Sequence, residues 1–251
     1  MKIQAARVAI AVTILAAWEA AGRWTFAGQI FFPPPSAVAA AAVRMVRDGT
    51  LPRHLAATLG RLIAGFVAGA IPAVAIGAWL GVSRRARRIL DPFLAAAHAT
   101  PKIAVFPLLL LLFGLGEKAM IALVGLSAFF PLMLNTCEGV RQIDPTYFDV
   151  ARSCGASTAR TVLRVIVPGS VPMMLVGVRL ALTIALLLTI AAEILTAKTG
   201  LGCLVWLSWE TLRTTDLFVA LLTASAIGVA IRTTFDRLLG RLAPWREARV
   251  P

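Results

Sequence analysis

The chain has 251 residues, of which 59% are hydrophobic, and a formal net charge of +13. A soluble domain is about half apolar, and the long apolar runs here lack the alternation of barrel strands, so we predict an all-α integral membrane protein. No basic stretch is interleaved with aromatic residues, which argues against nucleic-acid binding. The three cysteines have no metal-ligand spacing, so no metal or other cofactor is expected.

The apolar runs and the breaks between them predict six transmembrane helices. The first is interpreted as an uncleaved span rather than a signal peptide, because its candidate cleavage points lack small residues. Pro101 and Pro107 break the third span, and the second contains Gly65-x3-Gly69 and Gly77-x3-Gly81, small residues that let helices approach closely. Ser36 is expected to cap a helix up to Arg47 that lies outside the hydrocarbon or along its surface, and 196–213 is expected to be a second outside segment. The predicted spans are Val8–Ala21, Leu59–Val82, Asp91–Gly116, Lys118–Leu134, Pro172–Leu195 and Thr215–Ile231.

The distribution of basic residues predicts the orientation of these spans. With a cytoplasmic N-terminus, six crossings place Lys2, Arg7, the basic cluster Arg84–Arg88 and the C-terminal arginines on one side. Only scattered basic residues remain on the other side, which is the positive-inside pattern. Both termini are therefore expected in the cytoplasm, together with the polar passage 142–157.

This polar passage is predicted to contain a short amphipathic helix. Asp144 suits the N-cap, Pro145 the first helical position, and Gly155 the left-handed residue that closes a helix, while Ser157 can cap the next helix. The helix is too short to cross a bilayer, which needs about 20 apolar residues. No Walker-type phosphate-binding motif accompanies it, so we expect it to dock into a groove of another protein. Its apolar stripe comprises Tyr147, Val150, Ala151 and Cys154.

The passage also resembles the "EAA" loop of bacterial ABC importer permeases. Their pattern is Glu-Ala-Ala-x3-Gly-x9-Ile-x-Leu-Pro, and this chain has Asp149-Val150-Ala151-x3-Gly155-x9-Val165-x-Val167-Pro168. Further matches extend from the Pro33–Ser36 segment to Trp245 and resemble the nitrate/sulfonate/taurine branch. They are Pro101-Lys102-Ile103-Ala104-x2-Pro107-Leu108, Phe113-Gly114-Leu115-Gly116-Glu117, Gly177-x-Arg179-Leu180, Ala191-Ala192-Glu193 and Gly200-Leu201-Gly202.

The resemblance implies a type I ABC importer permease fold in the bacterial inner (plasma) membrane. It implies a first span and outer segment over 1–55, a permease core over 56–240 with a coupling helix at about 144–156, and a basic cytoplasmic tail over 241–251. The implied partners are ATP-binding cassette ATPase subunits, a second permease copy forming a homodimer, an extracytoplasmic solute-binding protein and the lipid bilayer. The implied ATPase contacts are Tyr147, Phe148, Asp149, Val150, Ala151, Arg152, Gly155 and Ala156.

Three charged residues within or next to spans are candidates for the translocation path. Lys102 follows Pro101 in the broken span, where it either meets an anionic solute or neutralises freed backbone carbonyls. Glu193 either lines the path or lies near the outer end of its span, where it reaches water or caps a neighbouring helix. Arg179, about four turns away on the same helix, is expected at the opposite membrane depth. His54 is expected at the surface, before the second span.

The resemblance implies a transport subunit rather than an enzyme, with ATP hydrolysis in a separate subunit. Its cargo is expected to be a small anion such as a sulfonate, taurine or nitrate, with a pyrimidine or other vitamin precursor as the alternative. An ion-gradient-driven secondary transporter is a further alternative. It would require internal repeats and several paired intramembrane charges, and the sequence has neither.

Overall fold

The computed structural model describes residues 2–24 and 31–242, and every regular element within those two ranges is helical. The all-α prediction is therefore confirmed for the described part of the chain. The tail residues Arg246 and Arg249, and Trp245 at the end of the sequence resemblance, lie outside the described residues.

The helices follow one another with short connections. In chain order they are α1 Lys2–Trp24, α2 Pro35–Arg47, α3 Thr50–Val82, α4 Arg84–Ala99, a 3₁₀ turn Lys102–Val105, α5 Phe106–Phe113, α6 Glu117–Arg141, α7 Pro145–Ser153, α8 Thr158–Thr161, a π turn Val162–Ile166, α9 Val167–Thr196, α10 Leu201–Glu210 and α11 Thr214–Leu242.

Four helical runs in the described residues are long and apolar enough to cross a membrane: Thr50–Val82, Glu117–Arg141, Thr158–Thr196 and Thr214–Arg241. A fifth crossing results if Arg84–Ala99 and Lys102–Phe113, which meet at a bend of 85°, form one broken span. The protein is thus a multi-pass membrane protein. A sixth crossing, through α1, stays a prediction.

The break in this bent pair lies where the sequence predicts it, but the basic cluster before it is helical. The Ser83 hydroxyl accepts a hydrogen bond from the Ala86 backbone N–H at 3.2 Å and thereby caps α4. Arg84–Arg88 therefore form the first turn of a helix rather than a connecting turn. At the far end, α5 stops at Gly114, whose φ of 77° is the left-handed conformation that favours glycine.

The described chain divides into two compact units, and three long helices contribute residues to both. The first unit contains the residues up to Thr58 and the range Glu193–Ala226. Its core comprises Val38, Ala41, Met45, Leu204, Val219 and Ala220. The Arg44 guanidinium donates to the Asp216 carboxylate at 2.5 Å beside this core.

Ser36, which the sequence suggests as the cap of α2, lies inside the helix, because Pro34 occupies the cap position. Its backbone N–H and its hydroxyl donate to the Glu19 carboxylate instead.

The second unit, which contains Leu59–Ala192 and the residues from Ile227 onward, depends on close contact between α3 and α6. A Cβ atom added at Gly69 would collide with the Gly125 carbonyl, and one at Gly65 would lie 2.5 Å from the Val124 Cβ. Gly77 and Gly81 make similar approaches further along α3. The small residues predicted to bring helices together therefore do so along α6.

Gly69→Ala is expected to destabilise this contact, because even one methyl group must displace backbone atoms of α6. We expect a loss of about 1–3 kcal/mol, measured as a lower thermal unfolding midpoint of the purified protein in detergent. Gly60→Ala on the same helix is the matched control, since nothing lies within 4 Å of its added Cβ. Equal midpoints for the two variants would contradict the packing assignment.

Candidate functional site

The amphipathic helix predicted after the fourth span is present as α7, nine residues from Pro145 to Ser153. Asp144 caps it, since its carboxylate accepts the Thr146 backbone N–H at 2.8 Å. Hydrogen bonds from the Thr146 hydroxyl and from its backbone N–H hold the pKa of the exposed Asp144 carboxyl below its ordinary value. The carboxylate therefore stays ionised at neutral pH, and the cap stays in place.

The C-terminal end of α7 is closed by a left-handed glycine, as the sequence predicts. Gly155 has a φ of 65°, and its N–H donates to the Arg152 carbonyl at 3.0 Å. The Ala156 N–H reaches back to the Ala151 carbonyl at 2.9 Å. This pair of hydrogen bonds is a Schellman motif. The motif needs a residue that tolerates positive φ just after the helix C-cap, and Gly155 occupies that position.

The apolar stripe of α7 faces outward in the isolated chain. Tyr147 is 63% exposed and Val150 is 56% exposed, and Cys154 is exposed as well. Ala151 is half-buried. Because exposed apolar side chains in a row are unfavourable in water, the stripe is a candidate surface for a partner protein.

Phe148 lies on another side of the same helix and is half-buried. Together with Pro145 and Arg152 it lines a cleft formed with the ends of α3 and α6. The helix therefore has one side directed at its own chain and an apolar stripe that its own chain leaves uncovered.

A continuous helical run connects this loop to α9. The Ser157 hydroxyl accepts the Arg160 backbone N–H at 3.4 Å and caps α8. From Thr158 the chain remains helical to Thr196, a run of 39 residues that includes the π turn Val162–Ile166. Only the four residues 154–157 therefore separate the end of α7 from the helical run that contains α9.

Lys102, at the break between α4 and α5, binds backbone oxygens. Its ammonium donates to the carbonyls of Ala97 at 2.9 Å and Thr100 at 2.9 Å, and also to His98. It lies 4.7 Å from the centroid of the Phe130 ring. Of the two interpretations made from the sequence, this geometry favours neutralisation of carbonyls that the break leaves without helical partners.

Arg179 and Asp236 form an ion pair between α9 and α11. A second arginine, Arg232, approaches the other oxygen of the same carboxylate at 3.6 Å. The side chain of Arg179 is 33% exposed and that of Asp236 is 45% exposed. An anion that binds Arg179 must therefore compete with Asp236, a partner that spacing in the sequence does not reveal.

Glu193 is fully buried, and the hydrogen bonds that it accepts come from residues of the same unit, the first one. The Thr58 hydroxyl lies 2.9 Å from both carboxylate oxygens, and the Gly202 backbone N–H donates at 2.9 Å. Thr58 in turn accepts the Leu201 N–H at 2.8 Å. Since Leu201 begins α10, the carboxylate meets the positive end of that helix. This geometry favours the capping interpretation of Glu193.

His54, which is expected at the surface, is instead buried against the turn before α10. This residue is only 5% exposed, and its Nδ1 lies 2.8 Å from the Gly200 carbonyl oxygen. Gly200 has a φ of 123°, and a Cβ there would collide with the Glu193 carboxylate. His54 is buried because it binds this glycine turn. The sequence shows the glycines of the turn, but it does not show their pairing with a histidine 146 residues away.

The three candidate path residues therefore have separate partners: Lys102 binds carbonyls at a helix break, Arg179 pairs with a carboxylate, and Glu193 caps a helix. No group of three or more potential metal ligands occurs among the described residues.

Residues 65–247 match the family described as the binding-protein-dependent transport system inner membrane component. The chain is 32% identical over 236 residues to the putative aliphatic sulfonates transport permease protein SsuC of Bacillus subtilis, covering 94% of this chain and 85% of that protein. It is 31% identical to the taurine transport system permease protein TauC of Escherichia coli over 92% of this chain and 86% of that one. The bicarbonate transport system permease protein CmpB of Synechococcus elongatus is 30% identical over 75% of this chain and 67% of its own.

Solved structures of transporters share the fold. An inward-facing structure of the MetNI methionine ABC transporter matches with a TM-score of 0.65 at 17% identity, over 74% of this chain and 92% of that one. An amino acid ABC transporter solved with histidines matches with a TM-score of 0.59 at 18% identity, over 79% and 95%.

The homologues are permease subunits of ABC transporters rather than enzymes, and the ATPase is a separate subunit. The family match covers most of the chain, and the relatives exceed 30% identity over nearly its whole length. This protein therefore belongs to the family of inner-membrane components of binding-protein-dependent transport systems, as an ABC importer permease homologous to the sulfonate and taurine permeases.

Proposed function

We propose that this permease imports a small anion of the sulfonate class across the bacterial plasma membrane. The relatives named for aliphatic sulfonates and for taurine support this class. The bicarbonate relative makes another small anion the second candidate. Uptake of labelled taurine by cells that express the whole system, with bicarbonate and a pyrimidine as competitors, tests the cargo.

The proposed assembly is a homodimer of six-span permeases with cytoplasmic termini, two ATPase subunits and an extracytoplasmic solute-binding protein. The positive-inside pattern supports the orientation, which puts α7 and the first turn of α4 in the cytoplasm. The division into a first span with an outer segment, a core and a basic tail is part of the same proposal.

The ATPase is proposed to bind α7, which acts as the coupling helix. The observation that carries this proposal is the exposed apolar stripe of α7, on a helix with both ends closed that is four residues away from the helical run containing α9. Such a helix can enter a groove and transmit its movement. The proposed contact residues are Tyr147, Phe148, Asp149, Val150, Ala151, Arg152, Gly155 and Ala156, with Tyr147 and Val150 at the centre.

The translocation path is proposed to pass Lys102 and Arg179, where positive charge would meet an anionic solute. Arg179 would then exchange its bond to Asp236 for one to the solute. Glu193 is proposed to act next to the path by holding the turn before α10 through Gly202 and Thr58.

Val150→Asn is expected to weaken ATPase binding about tenfold, because an amide in the apolar groove loses its water without gaining a partner. The measurement is the affinity of the purified permease for its ATPase, together with solute uptake. Ser153→Asn is the matched control, since Ser153 is exposed on the same helix outside the stripe. If both variants bind the ATPase as the wild type does, the stripe is not the contact surface.

Gly155→Val is expected to uncouple ATP hydrolysis from uptake, because a β-branched residue is strained at a φ of 65°. The strain is of order 1–3 kcal/mol and opens the Schellman motif. Nothing lies within 4 Å of an added Cβ, so the effect comes from the backbone alone. Gly155→Asn should retain most coupling, since asparagine tolerates this conformation. Loss of coupling in both variants, or in neither, would argue against this reason for the glycine.

Glu193→Gln distinguishes the capping role from a role in the path. Capping predicts a lower thermal midpoint with an unchanged apparent KM for uptake, because the amide replaces one of two accepting oxygens with a donor. Thr58→Val removes a hydrogen bond from the other side and should give the same result. A changed KM in Glu193→Gln alone would assign the residue to the solute path.

A further inference from the structure

A cleft of about 650 Å³ lies where the C-terminal ends of α3 and α6 meet the first turn of α4 and one side of α7. Four arginines line it: Arg84, Arg87, Arg141 and Arg152. Such a concentration of guanidinium groups around one concavity generates a positive potential, which favours an anionic occupant.

Two of these arginines already have acidic partners. Arg141 lies 2.8 Å from Glu138, and Arg152 lies 3.3 Å from Asp149. Within residues 2–24 and 31–242, no carboxylate is within ion-pair distance of Arg84 or Arg87, and the hydrogen bond from Arg87 goes to the Leu80 carbonyl at 3.5 Å. Arg84 and Arg87 therefore have no ion-pair partner among the described residues, although Asp91 lies one turn beyond Arg87 on the same helix.

The remaining lining is largely apolar and comprises Gly81, Val82, Val140, Ile143, Pro145 and Phe148. An occupant with a phosphate group and an adjoining hydrocarbon portion would satisfy both parts of the cleft. A free phosphate would leave the apolar wall of the cleft uncovered. An acidic protein surface would bind the arginines but would likewise leave the apolar wall without hydrocarbon contacts.

The position of the cleft along the chain points to the lipid interface. Val82 ends α3, a run long and apolar enough to cross a membrane, and α4 begins two residues later. The arginines in that turn are therefore placed where headgroups lie. Further along α4, Ile89 is 58% exposed and Phe93 is 70% exposed, and these apolar side chains would contact lipid if α4 begins the broken span.

We propose that this cleft binds the phosphate of an anionic phospholipid from the cytoplasmic leaflet, with Arg84 and Arg87 as its charged ligands. Guanidinium groups suit this role because they form paired hydrogen bonds with phosphate oxygens. The proposal rests on the proposed orientation of the permease. Since Phe148 of α7 lines the same cleft, the bound lipid contacts the coupling helix directly.

The test compares two double variants of the full-length permease assembled with its ATPase. Arg84→Gln with Arg87→Gln removes the two cleft arginines that have no ion-pair partner among the described residues, and leaves Arg141 and Arg152 in place. Arg85→Gln with Arg88→Gln removes the same charge from the same helical turn, but neither residue lines the cleft. Binding of short-chain phosphatidylglycerol is measured by native mass spectrometry, with short-chain phosphatidylcholine and inorganic phosphate as comparison probes.

We expect phosphatidylglycerol to bind more tightly than either comparison probe. Each arginine near an anionic surface contributes about fivefold, so the cleft pair should lose about 25-fold in affinity. The control pair should lose less than about fivefold. Size-exclusion profiles like that of the wild type show that both variants fold and assemble.

Equal losses in the two pairs would overturn the proposal in favour of a diffuse surface charge. Binding of phosphatidylcholine or inorganic phosphate as tight as that of phosphatidylglycerol would overturn it as well. The proposal would also be overturned if the variant with Arg84→Gln and Arg87→Gln lost its ATPase subunits but still bound the lipid. That outcome would assign the two arginines to a protein partner. Failure of the proposed function is a separate result: the wild-type complex with its binding protein would show no ATP-driven uptake, whatever lipid it binds.

Discussion

The proposed coupling depends on α7 keeping its helical shape while its apolar stripe stays exposed for a partner. A helix of nine residues has little stability by itself, yet this one has both ends closed and an apolar stripe in water. Asp144 secures its first turn, and the Schellman motif at Gly155 secures its last. The helix is therefore preorganised, and a partner that binds it would not lose free energy by ordering it.

The short connection between α7 and the helical run that contains α9 is the route by which a movement of α7 would reach the membrane-crossing part of the chain. Ser157 restarts the helix directly after the Schellman motif, and the run continues through a π turn to Thr196. A π turn inside a helix is a local irregularity frequently associated with function. Here it separates the loop from the membrane-crossing part of the same helix, so it is the place where a movement of α7 would be absorbed or redirected.

The sequence predicts local features well, because they depend on nearby residues. The caps Asp144 and Ser157, the left-handed Gly155 and the close glycine contacts of α3 are all present. The long-range pairs are not predictable in this way. The expectation that His54 lies at the surface is wrong, because its partner, Gly200, is remote in sequence. For the same reason the Asp236 partner of Arg179 and the Thr58 partner of Glu193 appear only in the folded chain.

The measurement that tests the central claim most directly is the accessibility of one side chain on the stripe. Val150→Cys, in a background with Cys154→Ser and Cys203→Ser, is labelled with a membrane-impermeant maleimide in inside-out and right-side-out vesicles, with and without the ATPase. We expect rapid labelling from the cytoplasmic side without the ATPase and at least tenfold slower labelling once the ATPase is bound, whereas Ser153→Cys changes little. Labelling from the outer side, or equal rates with and without the ATPase, would contradict the assignment of α7 as the coupling helix.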